Sequence, residues 1–227
     1  MRLRGILLDL DGTLIDHEGA VRAALRGWLP ALGVPATEEV IALWFAALER
    51  HLAAWRAREI SFAEQRRRRL RDFLPQVGVA FVDDDEHLDA VFDTYLPCYE
   101  RGWQVYDDVA DGLALIAAAG LPTAVLTNGD PAQQAAKLAS AGLTELVGPV
   151  FTPAMLGAAK PDAGAFLGAC ERLGLPPEAV ANIGDRHDLD VLGARAAGLR
   201  AIFLDRLGTG PEDDMRIASL RDLAAVL

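Results

Sequence analysis

The chain opens with an apolar run that stops at two carboxylates: Ile6-Leu7-Leu8-Asp9-Leu10-Asp11-Gly12-Thr13-Leu14. Residues 3–8 lack the alternation of a half-exposed strand. They read as a strand covered on both faces, the pattern of a parallel sheet between layers of helices. Such sheets bind ligands at the carboxyl ends of their strands, where Asp9 and Asp11 fall. Carboxylates two residues apart repel each other unless a cation lies between them. Hard divalent cations such as Mg²⁺ favour oxygen ligands of this kind. Gly12 permits a sharp turn. Taken alone, the segment also fits two aspartates that merely cap a strand end.

Three further segments repeat the theme. Thr123–Leu126 is a short β-rich run ending at Thr127-Asn128-Gly129, and a helix follows with Asp130 as N-cap and Pro131 at its first position. A hydroxyl, an amide and free backbone N–H groups at a helix start suit a phosphate oxygen; an ordinary strand–turn–helix fits equally well. Of the 22 basic residues only Lys137 and Lys160 are lysines. Lys137 lies in an Ala-rich helix and reads as solvated. Lys160 precedes Pro161, so its backbone is extended at an element boundary. Its ammonium is either a point charge for phosphate or carboxylate, or a plain surface group. Last, the strand beginning at Val180 delivers Gly184 and Asp185, and Asp188 and Asp190 open a helix to about Ala197 that Gly198 stops. Asp188 reads as a cap. His187 has no metal-ligand partner in view and reads as a loop residue.

These four elements, Asp9-Leu10-Asp11-Gly12-Thr13-Leu14, Thr127-Asn128-Gly129, Lys160-Pro161-Asp162 and Gly184-Asp185 with Asp190 five residues on, resemble the haloacid dehalogenase superfamily of hydrolases. The resemblance spans essentially the whole chain. It is nearest to the subfamily with a helical cap inserted after the first strand, which includes phosphoglycolate-type and sugar-phosphate phosphatases. The resemblance implies Asp9 as nucleophile and Asp11 as general acid and then base. It implies Thr127, Asn128, Gly129 and Lys160 around the phosphate. It implies Mg²⁺ on Asp9, the carbonyl of Asp11 and Asp185, with Asp190 as a further ligand or an orienter. The chain departs from many relatives in carrying Arg186, read as a surface residue, where they have serine. It also lacks an acidic residue between Thr152 and Ala159.

The implied fold is α/β, a Rossmann-like parallel sheet core formed by residues 1–15 and 102–227, with a helical-bundle cap at 16–101. The cap segment carries helical signals only. Gly19–Leu32 ends at Gly33 and Pro35. Thr37 caps a helix with Ile41, Trp44, Phe45, Leu48, Leu52 and Trp55 on one face. Ser61-Phe62-Ala63-Glu64 has the form of a capping box and opens a helix through Leu74. A fourth helix runs from about Asp84 to Tyr99, and Asp16 and Gly102 read as hinges. In the run Arg66 to Arg69 with Arg71, Arg67, Arg68 and Arg71 read as a solvated face. Arg66 falls in the apolar stripe with Phe62, Leu70 and Phe73. It must meet an anion, internal or on a substrate, and is the candidate for substrate specificity. The tryptophans at 28, 44 and 55 read as cap core.

A net charge of −11 argues against nucleic acid and anionic membranes as partners. Cys98 and Cys170 form no metal or disulfide pattern, and the first residues read as a core strand rather than a signal peptide, so a reducing cytoplasm is the expected setting. The reading is a Mg²⁺-dependent phosphatase of a small phosphorylated metabolite. Its rivals are a sugar-phosphate phosphomutase and a non-catalytic binding or regulatory module on the same fold.

Overall fold

The structure is a computed structural model and describes residues 2–227. Six strands form one sheet: β1 (Gly5–Leu8), β2 (Thr123–Leu126), β3 (Val150–Phe151), β4 (Val180–Gly184), β5 (Arg200–Leu204) and β6 (Arg216–Ile217). Their order is β3-β2-β1-β4-β5-β6, and every neighbouring pair is parallel. The order reverses between β1 and β4. Ligands of such sheets bind beyond the carboxyl ends of the strands at that switch point, and an aspartate directly follows each of these two strands.

The continuous apolar reading of β1 has a direct cause. Ile6 and Leu8 pack into the cluster holding Val125, Ile183, Ile202 and Ile116, whereas Leu7 packs on the other face with Ala124, Phe166 and Val191. All three β1 side chains are fully buried, each stabilising the fold by roughly 1.5–3 kcal/mol. The helices of the sheet unit supply the two outer layers: α5 (Val109–Ala118), α6 (Pro131–Ser140), the one-turn α7 (Pro153–Leu156), α8 (Ala163–Leu173) and α9 (Leu192–Ala196).

The chain divides into two units, one running through Asp16 and resuming with Gln104–Leu227, the other His17–Trp103. At the division the two connectors of the sheet unit pair with each other. Asp16 N–H donates to the Gln104 carbonyl at 2.9 Å, and Tyr106 N–H donates to that of Leu14 at 3.1 Å.

The second unit consists of α1 (His17–Trp28), α2 (Glu38–Arg56), α3 (Phe62–Gln76) and α4 (Asp85–Arg101), with a short 3₁₀ turn Leu29–Leu32 where the sequence reads as continuous helix. Pro30, which has no N–H to give, coincides with that change. Trp28, Trp44, Phe73, Phe92 and Tyr95 form its core, with Trp44 against Tyr95 at 4.9 Å and Phe73 at 5.1 Å. Trp55 is half-buried on Phe62 instead.

The arginine run corrects the sequence reading. Arg67 pairs with Asp85 and Asp89, Arg71 with Asp83 and Asp85, and Arg68 with Glu64. The acidic start of α4 lies along α3, so Arg67 and Arg71, half-buried, form an interhelical ladder, whereas Arg68 is exposed and pairs within α3. Glu64, engaged by Arg68, leaves Ser61 to cap α3 alone by accepting from the Glu64 N–H at 3.0 Å. Arg66 lies over the rings of Phe62 and Phe92, at 4.4 and 4.9 Å. The arginine that is truly enclosed is Arg69, which donates to Gln65 and lies over Trp44. Among the described residues no helix is long and apolar enough to cross a membrane.

Candidate active site

The site grows from the switch point. Asp9 follows β1 directly, and its N–H donates to the Ile183 carbonyl of β4 at 2.9 Å, so the strand pairing itself places it. The turn beyond needs Gly12. Its φ is +94°, and a Cβ there would meet the Asp185 carboxylate at 2.2 Å. Arg206, stacked on Tyr106 at 3.9 Å, donates to the Thr13 carbonyl at 2.8 Å and to Asp108, which anchors the turn from beneath.

Lys160 corrects the surface alternative: it is 3% exposed. Its Nζ donates to Asp9 Oδ1 and to Asp190 Oδ1, both at 2.6 Å. Asn128 holds the Lys160 backbone. Its carboxamide accepts from the Lys160 N–H and donates to the Lys160 carbonyl, each at 2.8 Å. The Asn128 side chain, expected at the phosphate, uses its oxygen and one N–H to place the lysine. The Gly129 N–H donates to Thr127 Oγ1 at 3.1 Å, which leaves the buried Thr127 hydroxyl proton as a donor. Asp130 caps α6 through the Gln133 N–H at 3.1 Å, as its position before Pro131 predicts.

Asp190 lies in a π-helical turn, His187–Val191, that precedes α9. Asn182 donates to its carbonyl, and the Arg186 N–H donates to its Oδ2. The tighter sequence reading of one regular helix from Asp188 misses this turn. Asp188 makes no cap; it is exposed and takes the Arg186 guanidinium at 3.3 Å. His187 lies apart, against Phe203 and Asp213.

Two residues that sequence reasoning did not assign to the site belong to it. Lys137 is no solvated lysine: its side chain is 1% exposed and donates to Asp11 Oδ1 at 2.5 Å. Gln134, fully buried, donates to Asp11 Oδ2 and to Thr127 Oγ1, each at 2.8 Å. Polar residues three apart inside an Ala-rich helix were the available signal.

Asp9, Asp185 and Asp190 bring carboxylate oxygens within 4.8 Å of one another. Burial, then Asp190 and Asp11, raise Asp9 to about 6 against the pull of Lys160. Burial, then Asp9 and Asp190, raise Asp185 to about 8. Burial would lower Lys160, but Asp190 and Asp9 hold it well above its ordinary value. Asp185 Oδ1 is buried and has no hydrogen-bond partner. Four carboxylates therefore face two ammoniums, with one buried carboxylate oxygen unsatisfied. This is an all-oxygen donor set that fits a hard divalent cation.

A family profile described as haloacid dehalogenase-like hydrolase matches residues 3–198. The chain is 34% identical to the phosphoserine phosphatase of Thermus thermophilus, with 96% of each covered. It is 31% identical to the phosphoglycolate phosphatase of Escherichia coli O157:H7, over 89% of this chain and 81% of that one. Its fold is similar to that of the HAD-hydrolase YfnB from Bacillus subtilis, solved bound to magnesium, at a TM-score of 0.86 and 23% identity, covering 100% of this chain and 99% of that one. With a parallel sheet of order 3-2-1-4-5-6 and acidic strand ends at its switch point, this chain belongs to the haloacid dehalogenase-like hydrolases.

Proposed function

We propose that the protein is a Mg²⁺-dependent phosphatase that hydrolyses a small phosphorylated metabolite through a phosphorylated Asp9. The observation that carries this reading is the contrast between two aspartates at one strand end. The Asp9 side chain is 9% exposed and gripped by Lys160, whereas that of Asp11 is 26% exposed. One enclosed and one open carboxylate suit two roles. Phosphatase relatives matching most of the chain support the same choice.

Asp9, ionised at neutral pH, attacks phosphorus while the bond to the leaving oxygen breaks. Asp11 gives its proton to that oxygen, then takes one from the water that attacks phosphorus and frees Asp9. Lys160 offsets the charge of Asp9 and of the phosphoryl group, and the Thr127 hydroxyl donates to a phosphate oxygen. Asp9 and Asp185, with the Asp11 carbonyl, are the residues that would hold Mg²⁺, with Asp190 as a further ligand or as the residue that orients them, and the ion when bound neutralises charge on the phosphoryl oxygens. The helical unit, inserted in the chain just after the strand that bears Asp9, is assigned the role of a cap that selects the substrate, with Asp16 and Gly102 as its hinges.

A panel of phosphomonoesters that includes O-phosphoserine, 2-phosphoglycolate and p-nitrophenyl phosphate tests the reading. Phosphate release with Mg²⁺, and none in excess chelator, is the expected result. Release from no monoester, or halide release from 2-haloacids, would overturn it.

A further inference from the structure

The chain carries 22 basic residues and only two are lysines. Both are buried, and each holds one of the two aspartates that follow β1: Lys160 holds Asp9 and Lys137 holds Asp11. The first pairing belongs to the site described above. The second does not follow from it, and neither does the buried glutamine one turn earlier on the same helix.

We propose that Gln134 and Lys137 of α6 form a clamp that positions the Asp11 carboxylate for its two proton transfers. This inference rests on the phosphatase reading, in which Asp11 is the acid and then the base. Both carboxylate oxygens are held from one helix, Oδ1 by Lys137 at 2.5 Å and Oδ2 by Gln134 at 2.8 Å. Residues three apart share a helix face, so the two donors arrive as one rigid pair.

The Gln134 carboxamide has two N–H donors, and it uses them on Asp11 and on Thr127 Oγ1. The reverse orientation would aim its oxygen at a carboxylate, so the neighbours dictate the rotamer. Gln134 thereby ties the proton-transfer group to the hydroxyl assigned to the phosphate. Gly129 makes the reach possible, because a Cβ at that position would lie 2.0 Å from Gln134 Nε2.

The energetics favour a functional account. A buried ammonium is costly unless paired, and an apolar side chain would fill the Lys137 position on an Ala-rich helix without that cost. What the clamp supplies is constancy. A short carboxylate that gives a proton in one step and takes one in the next must hold the same place through both, and a displacement of about 1 Å can cost about 100-fold in rate. Lys137 and Gln134 are positioning residues, since they act through Asp11.

The test compares Lys137→Met and Gln134→Leu with wild type on p-nitrophenyl phosphate and on the best alkyl monoester of the panel, alone and combined with Asp11→Asn. Lys137→Met should lower kcat for the alkyl ester by roughly 10- to 100-fold, and clearly less for the aryl ester, whose leaving group needs little protonation. KM should stay within about threefold, and on the Asp11→Asn background the same change should cost under about twofold. Gln134→Leu should show the same pattern with smaller amplitude. Equal losses on both esters that persist without Asp11, or a raised KM at constant kcat, would overturn the clamp. If Lys137→Met does not fold, Gln134→Leu decides alone, and a wild-type profile for it sinks the proposal. Failure of the parent reading shows separately, as absence of phosphate release by the wild type or full activity in Asp9→Asn.

Discussion

At the scale of single residues, the site is four carboxylates that follow two strands, three of them held by two lysines. Asp9→Asn removes the nucleophile and should lower phosphate release by several orders of magnitude while the melting temperature changes little. Near-normal release would refute the covalent route. Asp11→Asn should damage alkyl esters far more than an aryl ester. It also removes the charge that Asp11 sets against the buried Lys137 ammonium, so this variant should melt below wild type, and adding Lys137→Met should restore part of the loss.

The raised acids predict a pH dependence. Asp9 at about 6 and Asp185 at about 8 stand above the ordinary 3.8. Such groups keep their protons in the folded chain after the unfolded chain has lost them, so their contribution to stability is best below 3.8 and declines as pH rises through 6 and 8. A cation that binds the ionised cluster offsets that decline. The melting temperature should therefore rise more with Mg²⁺ at about pH 8.5 than at about pH 5.5, where protons compete for the same oxygens. Equal increments at both pH values would contradict the assigned ligand set.

At the scale of elements, capping and packing differ in weight. Ser61 caps α3 with one hydrogen bond, so Ser61→Ala should cost about 1 kcal/mol. Phe73, on the same helix, is fully buried against Trp44, and Phe73→Ala should cost about 3–5 kcal/mol. Denaturant unfolding of the two variants checks the ranking, and similar costs would show that the bundle core is looser than its ring contacts imply. The strands obey the same logic. β1 has no polar face because helices cover it on both sides, whereas α6 looks unremarkable in sequence although one of its faces enters the site.

At the scale of the whole molecule, the chemistry is assigned to the sheet unit and substrate choice to the helical unit. Arg66→Ala is the sharpest probe of that division. Arg66 lies on two phenylalanine rings within the helical unit. If it meets the substrate, kcat/KM should fall selectively for esters with anionic or polar leaving groups, with thermal stability little changed. A large loss of stability with unchanged kinetics would assign it to the internal packing of α3 against α4.

Features that depend on short-range order are legible in the chain alone. Apolar runs without alternation specify buried parallel strands. Asp9, Asp11, Lys160 and Asp185 are legible because each stands at a strand end or element boundary, where the chain must turn and few residue types serve. Asp130 and Ser61 are legible as caps because capping is local. Tertiary structure alone decided which side chains meet across distance. Lys137 was invisible because its partner lies 126 positions away, and only the β1–β2 pairing brings α6 beside the β1 turn. The hold of Asn128 on the Lys160 backbone was hidden for the same reason, since its partner lies 32 residues on. Arg67 and Arg71 looked solvated because the acids that pair with them lie at the start of the next helix and are set against them only by the packing of α3 on α4. A local pattern specifies an element and its ends, but the partner of a buried charge is chosen by the fold, because desolvation penalises any charge that the packing leaves alone.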